Sequence, residues 1–142
     1  MKRLLIIFAG LALMASLAAG GFAATTKAPK SSTIMIRHQT RGCHSWSVNG
    51  GAFRATLSTS LARAGTITLM NMDVMPHKLV KTSGPAINFA GKPNMNHMSA
   101  TVKVTFSKAG VYKFTTKPGE DYMKGMKTVG EDNVLRLTVK VS

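Results

Sequence analysis

From Leu135 to Val141 the chain alternates apolar and polar side chains without a break, Leu135-Arg136-Leu137-Thr138-Val139-Lys140-Val141. Successive side chains of a strand point to opposite faces, so this period of two marks a strand with one face buried and one in water. The same alternation runs through Ile34-Met35-Ile36, Phe53-Arg54-Ala55-Thr56-Leu57, Ile67-Thr68-Leu69, Leu79-Val80, Val102-Lys103-Val104-Thr105-Phe106 and Val111-Tyr112-Lys113-Phe114. Their Val, Ile and Thr content suits a pleated surface. Gly50-Gly51, Ala64-Gly65, Gly91-Lys92-Pro93, Ala109-Gly110 and Pro118-Gly119 separate these stretches with turn-forming residues. No segment sustains a helical period; the one short helical turn expected is within Leu57 to Ala64. About seven strands in a single domain, residues 33–142, predict an all-β Greek-key sandwich or barrel.

The first residues follow a different rule. Lys2 and Arg3 precede the apolar run Leu4 to Leu17, which gives way to Ala18-Ala19-Gly20-Gly21-Phe22-Ala23-Ala24. A positive start, an apolar centre and a small-residue exit describe a secretory signal peptide, expected over residues 1–23. The apolar run is shorter than the ~20 residues needed to span a bilayer. Residues 24–32 read as a flexible leader. The mature protein is therefore expected to be periplasmic or secreted, without stable membrane insertion.

Charge and cysteine content narrow the function. Of 19 Lys and Arg, 17 remain after Lys2 and Arg3 are removed, against 5 acids, a formal charge of +12. Such a field favours an anionic partner. Export, few aromatics and cations spread along the chain without a basic run argue against nucleic acid. An acidic protein, an anionic membrane face or an acidic exterior fits better. Cys43 is the only cysteine, so it is a free thiol, an intermolecular bridge, a metal ligand or simply a small buried apolar side chain.

Arg41-Gly42-Cys43-His44-Ser45-Trp46 gathers that cysteine, the only tryptophan and one of four histidines. A second histidine ends Asn71-Met72-Asp73-Val74-Met75-Pro76-His77, just before Lys78-Leu79. This stretch resembles the loop that carries the first copper-binding histidine of the cupredoxins, the blue-copper family. Gly110-Val111-Tyr112-Lys113-Phe114-Thr115-Thr116 is similar to the family's Gly-x-Tyr-x-Phe-x-Cys strand, and Pro118-Gly119-Glu120-Asp121-Tyr122-Met123-Lys124-Gly125 to the ligand loop that follows it. The resemblance covers roughly residues 65 to 141 and implies a cupredoxin-like fold holding one copper ion. Thr116 stands where the family has its cysteine, and Glu120 near its second histidine. A blue-copper centre takes two imidazoles, a thiolate and a weak axial thioether. Cys43 is thus expected to supply the thiolate from the other end of the chain, with His44 and His77 as imidazoles. Met123 matches the axial thioether, and Glu120 offers an oxygen in its place. Cys43 and His44 share a metal only if the backbone turns or bulges, because adjacent strand residues face opposite ways.

Other features read more simply. His38 is expected on a strand surface. Trp46 is placed to exclude water or stack on a ligand ring. Asn94-Met95-Asn96-His97-Met98 is either a soft Cu(I) cluster or a polar loop with methionines packed inward. No catalytic triad, phosphate loop or thiol-protease motif is legible, so an enzyme is not expected. The leading expectation is a copper protein for electron transfer or copper handling, docking to an acidic redox partner such as an exported cytochrome. The alternative is a cupredoxin-fold structural or interaction module without metal.

Overall fold

A computed structural model describes residues 27–38, 44–118 and 134–142. The signal, residues 24–26 of the leader, Cys43, Glu120 and Met123 lie outside these residues. Ten strands follow in chain order: β1 Ser31–His38, β2 His44–Val48, β3 Thr56–Leu61, β4 Gly65–Asn71, β5 His77–Ser83, β6 Asn88–Ala90, β7 Asn94–Met95, β8 Thr101–Phe106, β9 Gly110–Pro118 and β10 Arg136–Val141. They form two five-stranded sheets, β2-β1-β4-β8-β6 and β3-β10-β9-β5-β7. The described residues are all-β and contain no helix, as the alternation predicts. Each sheet is mixed: β1 runs parallel to β4 and β10 parallel to β3, while the remaining pairs are antiparallel.

The core is the sum of the alternating rows. Ile34 and Ile36 of β1, Ile67 and Leu69 of β4, and Val102, Val104 and Phe106 of β8 line one sheet's inner face. Leu57, Leu61, Leu79, Tyr112, Phe114, Leu137, Val139 and Val141 line the other. Tyr112 is fully buried, packs edge-on against Phe106 with centroids 4.9 Å apart, and donates its hydroxyl to Lys108 O at 2.6 Å. That bond lets a phenol sit in the core with its polar end satisfied.

The expected helical turn within Leu57 to Ala64 is absent: strand β3 runs to Leu61, and a turn follows at residues 63–64. Leu57 and Leu61 both face inward because β3 lies in register with β10, Leu57 opposite Leu137 and Leu61 opposite Val141. A spacing of four satisfies both a helix and a strand, and pairing with β10 decides between them. The stretch Phe53 to Leu57 joins its sheet only from Thr56. Before that, Arg54 makes an isolated bridge to Trp46. The short strands β6 and β7 and the whole of β2 add to the seven expected.

Two glycines show why the turns need them. Asn49 and Gly50 take consecutive left-handed conformations, φ 50° and 75°, and Gly51 N donates to Val48 O at 2.9 Å. Those are the signs of a type I′ turn, which Asn-Gly favours. At Gly65 a Cβ would sit 2.6 Å from Ala62 O and 2.7 Å from Leu61 Cγ, so no side chain fits where β4 begins. At the other end, β1 starts at Ser31, and the chain before it is already bound: Pro29 O and Lys30 O accept from Ala62 N and Thr66 N.

Candidate metal centre

One end of the sandwich carries a buried polar cluster, and the strand registers build it. In β1 the inward row is Ile34, Ile36, then His38; in β4 it is Ile67, Leu69, Asn71, and Asp73 two residues beyond. The parallel register sets Ile34 beside Leu69 and Ile36 beside Asn71, so the next step brings His38 and Asp73 together. The antiparallel register sets His38 opposite His44, and directly paired residues share a face. Adjacent strands β2 and β1 thus present His44 and His38, and the loop that continues β4 brings Asp73 beside them. His77 begins β5 in the facing sheet.

The loop between β4 and β5 is held by its own side chains. Asp73 N donates to Asn71 Oδ1 at 2.9 Å, and Met75 N donates to Asp73 Oδ1 at 3.1 Å. These are two successive Asx turns, in which a side-chain oxygen takes a backbone N–H two residues on. Asn71 Nδ2 donates to Met75 O at 2.7 Å and Met95 O at 3.1 Å, tying the loop to β7. Asn71 and Asp73 are each wholly buried.

Asp73 Oδ2 is left to face the rings. His44 Nδ1 lies 2.7 Å from it and His77 Nε2 lies 3.4 Å from it. Burial alone pushes the Asp73 carboxyl up, but hydrogen bonds from the His44 and His77 rings, the Met75 N–H and the charge of His44 hold it well below the usual carboxylate range. An ionised carboxylate only accepts, so the facing ring nitrogens carry the protons. The His44 and His77 rings are nearly perpendicular, 85°, with centroids 4.7 Å apart. His38 lies 6.0 Å from His44 by the same measure. Ligating atoms of His38, His44 and Asp73 lie within 4.8 Å of one another.

Two of the five ligands expected from the sequence, His44 and His77, are brought together, both nearly buried. Cys43, Glu120 and Met123 lie outside the described residues; Cys43 directly precedes His44 in sequence, and Pro118, two residues before Glu120, is the register partner of His77. Sequence reasoning used Asp73 only as a loop residue and His38 only as a surface one. His38 is exposed as expected, yet its ligating atom is part of the cluster. The missed signal was the alternation itself, since Ile34-Ile36-His38 and Leu69-Asn71-Asp73 each continue an inward row. Trp46 is fully buried and donates its indole N–H to Ala55 O at 3.2 Å, a core role on the His44 face of β2. In the Asn94 to Met98 stretch, Met95 is wholly buried in the core while Met98 is 48% exposed. Met95 is therefore a packing residue, and only Met98 matches a surface thioether.

No family model matches the sequence, and no curated protein does. Solved structures similar to it include an oxidised amicyanin mutant, with TM-score 0.42 and 16% identity, covering 78% of this chain and 82% of that one. A purple cupredoxin from Nitrosopumilus maritimus is 18% identical with TM-score 0.43, covering 78% and 98%. An inclusion body protein, PixA, from Burkholderia cenocepacia is 8% identical with TM-score 0.44, covering 83% and 99%.

Proposed function

We propose that this chain is an exported, cupredoxin-like copper protein that holds one copper ion at His44 and His77 with Cys43 as thiolate, and acts in periplasmic electron transfer or copper handling. One observation carries the reading: imidazoles from facing sheets meet at a single buried carboxylate, Asp73. Metal-binding histidines commonly give their second ring N–H to such a carboxylate, which fixes tautomer and orientation. With His44 Nδ1 and His77 Nε2 turned to Asp73, His44 Nε2 and His77 Nδ1 are the nitrogens to which copper would bind. The residues therefore fit the ion. Bound copper supplies a one-electron change between Cu(II) and Cu(I).

The chain's own part is to hold that geometry still. Asp73 orients both rings, Asn71 fixes the loop that carries Asp73, and β2 and β5 fix the rings from opposite sheets. Glu120 and Met123 complete the set in this reading, hard oxygen or soft thioether setting which oxidation state is favoured. The excess of cations over acids guides docking to an acidic redox partner such as an exported cytochrome; Asp73, buried, is the only one of the five acids among the described residues.

Titration of the purified protein with Cu(II), followed by visible absorption and EPR beside Cys43→Ser, tests the reading. Intense thiolate-to-copper bands at one equivalent, lost in the variant, support it. A protein without such bands that binds no Cu(I) under reducing conditions is a metal-free interaction module, its Asp73 already satisfied by two rings.

A further inference from the structure

We infer that His38, His44 and Asp73 form a second, thiolate-free site for a divalent cation of borderline hardness, of which Zn(II) is the probe. The inference shares His44 with the copper site proposed above but does not need Cys43, Glu120 or Met123.

Three features of the fold carry it. His38 and His44 are register partners on neighbouring strands, and Asp73 is fixed two residues past β4 by the Asx turns of its loop, so the spacing of all three is set by the fold. Their ligating atoms are already within 4.8 Å of one another. Ligand atoms around a tetrahedral ion with bonds of ~2.0–2.1 Å lie ~3.3 Å apart. The buried pair is closer than that, His44 Nδ1 at 2.7 Å from Asp73 Oδ2, a hydrogen bond whose proton is released when the ion takes its place. His38 is exposed at the strand end, where its ring is the one able to swing inward. The donor set also decides the ion. Two imidazoles and one carboxylate suit Zn(II) or Cu(II), whereas Cu(I) favours sulfur. Three protein ligands with one exposed side leave the fourth position to water, the arrangement of an open zinc site.

Asp73 is wholly buried and held ionised by the His44 and His77 rings and the Met75 N–H, so it presents a ready-made anionic ligand, with a divalent ion replacing the His44 hydrogen bond at Oδ2. His77 Nε2, 3.4 Å from the same oxygen, then becomes the outer partner that steadies the ligating carboxylate. The two sites compete for His44, so the protein holds either a thiolate-bound copper ion or an N/O-bound divalent ion, not both at full affinity.

The experiment uses the Cys43→Ser chain, titrated with Zn(II) by calorimetry and with Co(II) by visible absorption, with and without His38→Ala. Expected are one equivalent of Zn(II), Co(II) d–d bands without thiolate character, and at least ~100-fold weaker binding on loss of His38, since losing even an outer partner costs 10–100-fold. Near-UV circular dichroism of Trp46 checks that the exposed His38→Ala change leaves the fold intact. Absence of Zn(II) binding in Cys43→Ser, or affinity unchanged by His38→Ala, overturns the inference. The copper bands of the wild-type protein report separately on the proposed function. Zn(II) binding through His38 in a protein that lacks those bands sinks the copper reading and keeps this one; copper bands without His38-dependent Zn(II) binding do the reverse.

Discussion

One inward row of β4 and its loop contains two different materials. Ile67 and Leu69 are buried among other apolar side chains, and Asn71 and Asp73, continuing the row, are buried at least as completely. The register sets burial in both halves; only the residue types differ. Each apolar side chain gains roughly 1.5–3 kcal/mol by leaving water. The polar half gains little, because its hydrogen bonds replace others made with water. Replacing a buried ionic group by well-packed apolar residues is often neutral or stabilising. Stability alone therefore does not explain why the row turns polar at one end; Asn71 and Asp73 fix the β4–β5 loop, and the binding proposed above supplies a second reason.

Damaging each half in turn separates packing from binding. Leu69→Ala removes a buried side chain and leaves a cavity, and is expected to cost ~2–5 kcal/mol in urea unfolding. Metal stoichiometry of the remaining folded protein should not change. Asp73→Asn keeps the shape but removes the charge and one acceptor facing the rings. It is expected to cost less, ~1–3 kcal/mol, while weakening metal binding by about 10–100-fold. If Asp73→Asn destabilises as much as Leu69→Ala and leaves binding alone, the polar end is structural after all.

Acid titration separates the halves by a different variable. The folded-state carboxyl of Asp73 is held below its ordinary value, which is near 3.9 in an unfolded chain. A depressed carboxyl contributes stability that is complete above the unfolded value and fades as pH falls through the folded one. The stability gap between the wild type and Asp73→Asn should then narrow progressively below about pH 4. Leu69→Ala has no titrating group, and its deficit should not follow that curve. Unfolding midpoints of the three proteins across pH 2 to 7 are the measurement; a gap that stays constant to the lowest pH means that the rings do not stabilise the ionised carboxylate.

The two halves were also unequally legible in sequence. The apolar rows announced themselves by composition as well as by period, so Leu135 to Val141 and Val102 to Phe106 could be read as strands directly. At Leu57 to Leu61 the spacing suited a helix and a strand alike, and a partner 80 residues away, Leu137 for Leu57, decided it. The histidines stood out because His44 and His77 sit in distinctive stretches. Asp73 and His38 did not, because a polar residue after a strand usually lies in a loop. Seeing them as neighbours requires the parallel pairing of β1 with β4, a long-range fact that local periodicity does not contain. Of the ligands expected from the cupredoxin resemblance, the described residues contain only His44 and His77.

The smallest expected effect comes from a third kind of buried residue. Ser47 lies in β2 beside Trp46, is almost wholly buried, and its hydroxyl has no hydrogen-bond partner among the described residues. Unlike Asn71 and Asp73, it brings a polar atom inside without a visible return. An unsatisfied buried hydroxyl costs ~1–3 kcal/mol in desolvation, and removing it abandons no partner. Ser47→Ala should therefore be neutral, or stabilising by up to about 1 kcal/mol, with a melting temperature unchanged or a few degrees higher. Alternate residues of β2 face opposite ways, so Ser47 points away from the face that carries His44 and Trp46. Metal binding should not respond. A loss of more than about 1 kcal/mol would mean that the hydroxyl is hydrogen-bonded after all. The outer face of β2 would then be a second polar region, held together by the same rule as the Asp73 cluster.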